Sequence, residues 1–261
     1  MSWRFLNAAV AGTSHLRAGL PCQDDCLIDV LMLGEDEILV AIASDGAGSA
    51  QRAEEGSGIV CASLLASAAA CLQDGAAIEQ LTRERVQQWI GRARAEIETR
   101  AKDEALVARD FACTLVAAIA GPGAAAFFQI GDGAIVAGAG ESCEVVFWPD
   151  CGEYANTTFF TTDDDWTNHL QFDVRPVRID ELALMTDGLQ RLALQFDTRA
   201  PHAPFFEPMF AALRARSAGF AADLEPQLVA FLGCSAVNDR TDDDKSLVIA
   251  TRRAGAADGA R

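Results

Sequence analysis

Short apolar runs separated by polar turns dominate the sequence and predict a sheet-rich fold. The run 38–44 is apolar at nearly every position, which is typical of a strand buried on both faces. The other runs are bounded by residues that favour turns, mainly Gly, Pro, Asp and Ser. The pattern predicts strands at 5–11, 26–33, 38–44, 111–120, 125–130, 134–138, 145–148, 181–186 and 246–251.

Segments with a longer hydrophobic period predict helices. Val86, Trp89 and Ile90 begin a series of apolar residues at three- and four-residue steps, as one buried face of a helix requires. The stretch 149–172 is polar and has no period, so we expect it to be irregular. Helices are predicted at 52–72, 82–105, 206–217 and 223–232.

The order of these elements favours one domain of the α+β class, in which sheets are covered by helices. Tight connections between successive strands are typical of antiparallel hairpins rather than of a doubly wound parallel sheet. The sequence contains no internal repeat and no Pro- or Gly-rich linker. We therefore predict a single domain over 1–251 and a disordered tail over 252–261.

Charge and hydropathy narrow the range of partners. The chain carries 38 acidic residues against 21 Lys and Arg, a net charge of −17, which disfavours nucleic acid and anionic membranes as partners. No basic segment leads into an apolar stretch at the start of the chain, and the longest apolar region, 58–72, is short for a membrane span. We therefore expect a cytoplasmic protein that binds neither nucleic acid nor a membrane.

The eight cysteines are spread over the whole chain, and several lie within apolar runs. Without a secretion signal, reduced structural thiols are the favoured interpretation. Cys22 and Cys26 are spaced like zinc ligands, but neither a second close pair nor a nearby pair of histidines completes a zinc site.

Acidic residues recur where predicted strands begin or end. Asp45, Asp132 and Asp187 each follow an apolar run and precede glycine, and the acids at 242–244 precede the last strand. Any one Asp-Gly pair is more typical of a turn than of a ligand. If these strands share sheets, however, their carboxylates would gather at one place and would require a cation to offset their repulsion.

Oxygen ligands without His or Cys favour the hard ions Mg²⁺ and Mn²⁺ over zinc. Two such ions held by carboxylates lower the pKa of a water molecule and neutralise a phosphate group, which predicts a phosphate-ester hydrolase. Phosphatases with a nucleophilic Asp in an Asp-x-Asp signature, and proteins with a Gly-Lys-Ser/Thr phosphate loop, lack matching motifs in this chain.

A series of motifs, in order over nearly the whole chain, resembles the metal-dependent protein phosphatases of type 2C, and especially their divergent bacterial branch. The motifs are CQDD (22–25), SDGAGS (44–49), CTLVAAI (113–119), GDGA (131–134), TDGL (186–189) and DDKSLVI (243–249). The resemblance implies a four-layer α-β-β-α sandwich, with two antiparallel sheets flanked by helix pairs. It also implies a centre of two Mn²⁺ or Mg²⁺ ions.

The resemblance assigns metal ligands by motif position. Asp45 would bridge both ions, the carbonyl of Gly46 would bind one of them, and Asp187 with Asp243 would hold the other. Asp24 is similar to the acid that orients the attacking water.

Two further positions have implied supporting roles. Asp132, with Thr114 nearby, resembles the weaker third metal site of bacterial members. Asp244 stands where the family usually has Asn, which implies a residue that supports the ligands rather than a ligand.

The chain departs from the family pattern at three positions. Gln23 replaces the usual Glu, which implies a weaker second metal or one bound through water, and Gly19 replaces the Arg that binds phosphate. Arg17 or His15 would then contact the phosphate; for His15 a hydrogen-bonded position in a loop is the alternative. Ala47 stands where some members have a His, so another group must protonate the leaving oxygen.

The resemblance implies a phosphoprotein (Ser/Thr) phosphatase in which a metal-activated water attacks phosphorus. The implied partners are a phosphorylated protein substrate and a cognate Ser/Thr kinase. Two alternatives remain open on the sequence. One is a non-catalytic module that binds phosphoproteins, which the three departures favour, and the other is a phosphomonoesterase for small metabolites.

Overall fold

The computed structural model describes residues 1–139, 142–149 and 158–253, which form two β-sheets covered by helices. The first sheet has six strands in the order β12-β1-β13-β9-β6-β7. All of its pairs are antiparallel except the short parallel pair β1–β12. The strands are β1 (Ser2–Val10), β6 (Ala134–Ala139), β7 (Ser142–Val145), β9 (Glu181–Met185), β12 (Gly219–Phe220) and β13 (Lys245–Arg253).

The second sheet has five antiparallel strands in the order β2-β3-β4-β5-β8. They are β2 (Asp25–Leu33), β3 (Asp36–Ser44), β4 (Leu115–Ala120), β5 (Ala125–Ile130) and β8 (Gln171–Arg175). A separate two-residue hairpin consists of β10 (Leu194–Gln195) and β11 (Ala200–Pro201).

The α-helices of the described chain differ widely in length. They are α1 (Thr13–Ala18), α2 (Ala53–Gln73), α3 (Arg83–Asp103), α4 (Trp166–His169), α5 (Gln190–Ala193), α6 (Ala203–Arg214), α7 (Glu225–Leu232) and α8 (Ser235–Asn238). Short 3₁₀ helices lie at Ile78–Gln80, Ala108–Phe111 and Asp187–Leu189.

The side chains of β3 show how the layers form. Leu39 and Ala41 belong to the apolar cluster between the two sheets. Val40 and Ile42 point the other way and pack with residues of α2 and α3. Successive residues of a strand face opposite sides, so a strand that is apolar throughout fits between a sheet and a helix layer.

Helices cover both outer faces of the sheets. α2 and α3 pack over the second sheet, and α6 and α7 over the first, each through a separate buried apolar cluster. With the cluster between the sheets, this gives four layers. The predicted α-β-β-α sandwich is confirmed.

In the described part of the chain, α2 is the one helix whose length and composition would suffice to cross a membrane. Half of its apolar window is buried within the fold. Its buried residues, among them Val60, Cys61 and Leu64, pack in the cluster beside the second sheet. This burial is typical of the core helix of a globular domain.

Several short elements differ from the sequence prediction. α1 lies in a segment read as a loop; it buries none of its side chains, so it leaves no hydrophobic period. β8 lies partly in the stretch 149–172, where Phe172 and Val174 alternate with polar residues. β7 spans 142–145 rather than 145–148, and β13 continues through Arg253. Residues 254–261 of the predicted tail lie outside the described residues.

Seven cysteines are free thiols, which is the reduced state predicted for them. Burial raises the pKa of the Cys26 thiol to about 12 and that of Cys143 to about 11. The eighth, Cys151, lies outside the described residues.

Candidate metal centre

The acidic residues lie where the ends of strands from both sheets meet. Ser44 at the end of β3 pairs with Asp25 at the start of β2. Met185 at the end of β9 pairs with Leu247 near the start of β13 and with Ala134 at the start of β6. Antiparallel pairing therefore brings the acids that flank these strands to one end of the sandwich.

Three carboxylates from separate strand ends come together there. One oxygen each of Asp45, Asp132 and Asp187 lies within 4.8 Å of the other two. Burial, together with the charges of Asp132 and Asp243, raises the pKa of Asp187 to about 7. Burial also raises the pKa of Asp45 well above its ordinary value, as do the charges of neighbouring acids. The folded chain therefore concentrates negative charge that a cation would neutralise.

Asp24 is a fourth acid of this group and is 7% exposed. The hydroxyl of Thr186 donates a hydrogen bond of 2.7 Å to its Oδ2 atom. Burial raises the pKa of Asp24 to about 7, and the hydrogen bond from Thr186 opposes that shift. Because Thr186 follows β9 and Asp24 precedes β2, this bond joins the ends of the two sheets.

Thr114 fixes the backbone of Asp45. The amide of Asp45 donates to Oγ1 of Thr114 over 3.0 Å, and the amide of Thr114 donates to the carbonyl oxygen of Asp45 over 2.8 Å. Gly46 continues this pairing through a bridge with Cys113. Asp45 and Gly46 therefore continue the pairing of β3 with the chain before β4 and do not form an isolated turn.

Asp243 and Asp244 lie side by side but have different surroundings. Asp243 lines the cleft described below, and its charge contributes to the raised pKa of Asp45. The Asp244 side chain is only 2% exposed and accepts hydrogen bonds from the amides of Gly12 and Gln23, over 2.6 and 2.5 Å. Asp244 thus connects the start of β13 to the segments before α1 and β2.

The two candidate phosphate contacts lie on α1, where one contacts Asp244 and the other is exposed. Nδ1 of His15 lies 2.7 Å from Oδ2 of Asp244. Arg17 is exposed. Neither residue is among those described as lining the cleft. Their contact with phosphate therefore stays a prediction.

A polar cleft of about 660 Å³ opens over the acidic cluster. Asp45, Asp132, Asp187 and Asp243 line it. Two arginines that the sequence reasoning did not select, Arg191 and Arg240, line the same cleft. Their spacing was an available signal: one stands four residues after Asp187 and the other three residues before Asp243.

The donor set fits hard divalent cations. Its side chains offer oxygen atoms, and carboxylates are preferred ligands of Mg²⁺ and Mn²⁺. Oδ1 of Asp24 and Oδ1 of Asp187 are buried without a hydrogen-bond partner among the described residues. Buried carboxylate oxygens of this kind need either a proton or a cation.

An oxygen-rich site for divalent cations in an open polar cleft is the arrangement that a metal-dependent hydrolase of phosphate esters requires. Comparison with known proteins gives the same class and a family. The chain belongs to the protein phosphatase 2C family, whose model matches residues 11–233. The members of this family are metal-dependent hydrolases, so the protein is a metal-dependent protein phosphatase.

A curated relative and solved structures agree with this assignment. The chain is 39% identical to serine/threonine-protein phosphatase 3 of Escherichia coli K12, over 96% of this chain and 98% of that protein. The serine/threonine phosphatase Stp1 of Staphylococcus aureus matches with a TM-score of 0.60, at 15% identity, over 96% of this chain and 95% of its own. PppA of Pseudomonas aeruginosa matches with a TM-score of 0.57, at 17% identity, over 96% and 98% of the two chains. At such low identity, the solved structures show the shared fold alone.

Proposed function

We propose that this protein removes phosphate from phosphoserine and phosphothreonine in proteins, using two Mn²⁺ or Mg²⁺ ions bound at the acidic cluster. The observation that carries the proposal is the convergence of Asp45, Asp132 and Asp187 within 4.8 Å. The name of the 39% identical relative, a serine/threonine-protein phosphatase, supports the choice of substrate.

In this proposal each residue of the cluster has its own role. Asp45 and the carbonyl of Gly46 would hold the metal pair from the end of β3, and Asp187 with Asp243 would hold it from the ends of β9 and β13. When bound, such a pair of cations lowers the pKa of a water molecule and neutralises the charge of the phosphoryl group. Asp132, which lies beside Asp187 in the cluster, would hold a weaker third ion.

Asp24 orients the attacking water. Thr186 occupies its Oδ2 atom with a hydrogen bond of 2.7 Å, which leaves Oδ1 to accept a hydrogen bond from that water. The rigid strand ends on both sides of this bond hold the acceptor in place, which is the positioning that general-base catalysis requires.

Gln23 would bind the second metal ion less tightly than a glutamate at this position. Its side chain offers an uncharged oxygen, Oε1, which is buried and lacks a hydrogen-bond partner among the described residues. An amide oxygen is a hard ligand but adds no negative charge to the site.

Turnover of an aryl phosphate with and without Mn²⁺ tests the proposal. Asp45→Ala and Asp187→Ala should each lower kcat/KM more than about 100-fold, because each change removes a metal ligand. Asp74→Ala is the matched control, since Asp74 is exposed at the end of α2, and it should match the parent protein.

Two results would overturn the proposal. One is turnover that persists in both ligand variants, and the other is the absence of turnover with any divalent ion. The second result would favour the non-catalytic module. A panel of phosphopeptides and small phosphorylated metabolites would separate protein phosphatase activity from metabolite hydrolysis.

We also propose that the protein acts in the cytoplasm against the products of a Ser/Thr kinase. A kinase supplies the phosphoserine and phosphothreonine that the enzyme would hydrolyse. The net charge of −17 supports a protein partner rather than nucleic acid or an anionic membrane.

A further inference from the structure

Two arginines line the cleft without an acidic partner. Arg191 and Arg240 are exposed, and neither forms an ion pair with a described carboxylate, although acids are abundant around them. By contrast, Arg52, Arg100 and Arg214 each pair with a glutamate elsewhere in the molecule. In a chain with 38 acidic residues, unpaired guanidinium groups beside an active site are available for an anion from outside.

Arg191 is anchored next to the metal ligands. It follows Gln190, whose side-chain amide donates to the carbonyl oxygen of Asp132 over 2.5 Å. Arg191 also stands four residues after Asp187 in consecutive helical segments, the spacing that places residues on one face. Its position relative to the centre is therefore set by short, hydrogen-bonded segments rather than by a long loop.

Arg240 is also held by hydrogen-bonded segments, between α8 and β13. Its amide donates to the carbonyl oxygen of Val237 over 2.9 Å, directly after α8. Asn238 of α8 accepts a hydrogen bond of 2.9 Å from Nζ of Lys245, a fully buried residue of β13. Only Thr241 and Asp242 then separate Arg240 from the candidate ligand Asp243.

An exposed aromatic side chain lies at the rim between these elements. Phe196, in the turn between β10 and β11, lines the cleft and is 51% exposed. It packs edge-on against Trp148 with ring centroids 5.4 Å apart, and the guanidinium of Arg199 lies 5.3 Å from the Trp148 ring. A supported, exposed ring of this kind offers a contact surface for a polypeptide chain.

The charge balance of the cleft favours an acidic substrate. When bound, divalent cations would offset the charges of Asp45, Asp132, Asp187 and Asp243. Asp242 is then the remaining acid that lines the cleft in the described chain, against two arginines. The lining of the loaded cleft would then carry two guanidinium groups against one carboxylate, in an otherwise strongly acidic molecule.

Resting on the proposed phosphatase function, we propose that Arg191 and Arg240 select phosphoproteins with acidic side chains next to the phosphorylated residue. The two guanidinium groups bind those carboxylates, and Phe196 supports the peptide chain at the rim. Carboxylate–guanidinium contacts are charge-assisted and directional, so they discriminate between acidic and neutral flanks.

Binding of non-hydrolysable peptides tests this selection independently of turnover. Each fluorescent peptide carries a phosphonate in place of phosphoserine, with Asp and Glu or with Asn and Gln on both sides. We expect the full-length protein with Mn²⁺ to bind the acidic peptide roughly five- to tenfold more tightly, as measured by anisotropy. A ratio near one would overturn the proposal.

Substitutions assign the preference to the two arginines. Arg191→Gln and Arg240→Gln should each reduce the ratio of the two dissociation constants, and the double variant should bring it close to one. Arg92→Gln is the matched control, because Arg92 is exposed on α3 and does not line the cleft. An unchanged ratio in the double variant would also overturn the proposal.

The peptide-binding experiment can fail while the proposed phosphatase function holds, and the reverse is also possible. Selective binding without Mn²⁺-dependent turnover would keep the acidic selection and remove the enzyme. Turnover with equal binding of both peptides would keep the enzyme and remove the selection.

Discussion

The glycine that follows each clustered acid allows close packing. A Cβ atom at Gly46 would lie 2.5 Å from the carbonyl oxygen of Gln23. At Gly133 it would lie 2.2 Å from a methyl carbon of Val116, and at Gly188 2.0 Å from the carbonyl oxygen of Asp244. At each of the three Asp-Gly pairs, another segment packs directly against the glycine. This close packing allows the three aspartate side chains to come together.

Gly188→Ala should damage both stability and the centre. The added Cβ would overlap the carbonyl of Asp244 and push Asp187 away from the start of β13. We expect a loss of about 1–3 kcal/mol in the free energy of unfolding, measured in urea, together with weaker Mn²⁺ binding.

Gly123→Ala provides the comparison for that change. Nothing lies within 4 Å of a Cβ at Gly123, in the turn between β4 and β5, so both measurements should stay near those of the parent protein. If Gly188→Ala behaved like Gly123→Ala, close packing at Gly188 would not be what holds the acids together.

Some residues of the site could be predicted from the sequence, and others could not. Asp45, Asp132 and Asp187 were visible because each ends an apolar run. Arg191 and Arg240 were not selected, because the only signal in the sequence was their short spacing from Asp187 and Asp243, and such spacing does not distinguish a cleft from any other exposed surface. His15 had two interpretations, and its 2.7 Å contact with Asp244 is a feature of the folded chain alone.

At the scale of elements, the two sheets are joined at the end opposite the acids by a buried arginine. Arg252, near the end of β13, is 3% exposed and donates to the carbonyl oxygens of Ala120 and Gly121 over 3.1 and 2.8 Å. Its guanidinium also lies 4.2 Å from the ring centroid of Trp3 on β1. Burial lowers the pKa of Arg252 to about 10, so it remains charged at neutral pH.

Arg252→Ala should destabilise the sandwich without altering its chemistry. The change removes a side-chain donor from two buried carbonyls and removes the cation above Trp3, so we expect a loss of about 2–4 kcal/mol in the free energy of unfolding. Urea denaturation measures this loss, and kcat at a temperature where the variant is folded should be unchanged. Arg92→Ala should shift the stability by less than about 0.5 kcal/mol. A large fall in kcat for Arg252→Ala would contradict the separation of the two ends.

Elements that bury many apolar residues were predictable, whereas short polar ones were not. β3 and α2 contain long apolar stretches, and α3 buries apolar residues at a helical period, so their sequences alone favour them. By contrast, α1 buries no side chain, and tertiary contacts hold it; the amide of Ser14, for example, donates to the carbonyl of Asp242. Short elements with few buried residues owe their structure to such contacts rather than to propensity.

At the scale of the whole molecule, the acidic cluster opposes folding unless a proton or a cation neutralises it. Burial raises the pKa of Asp24 and of Asp187 from 3.8 to about 7. Between about pH 4 and 7, the metal-free folded protein therefore binds more protons than the unfolded chain. Its free energy of unfolding falls as the pH rises through this window.

This linkage predicts that the melting temperature of the metal-free protein is lower at pH 8 than at pH 5.5. Mn²⁺ should raise the melting temperature most at pH 8, because the ion binds the deprotonated carboxylates. Calorimetry at both pH values, with and without Mn²⁺, measures the effect. Asp187→Asn removes one of the shifted groups and should reduce the pH dependence. If the melting temperatures of Asp187→Asn and of the parent protein depended equally on pH, the acidic cluster would not be the cause of that dependence.

The sequence by itself determined the class of fold, the strands whose ends carry acids, and the net charge, because hydrophobic period and residue type are local properties. Only the tertiary structure decided which side chains share the cleft. Thr186 and Asp24, which lie 162 positions apart, and Gln23 and Asp244, which lie 221 apart, meet through packing of the two sheets. Local patterns cannot specify such contacts, because the distance between strand ends depends on how the whole sandwich closes.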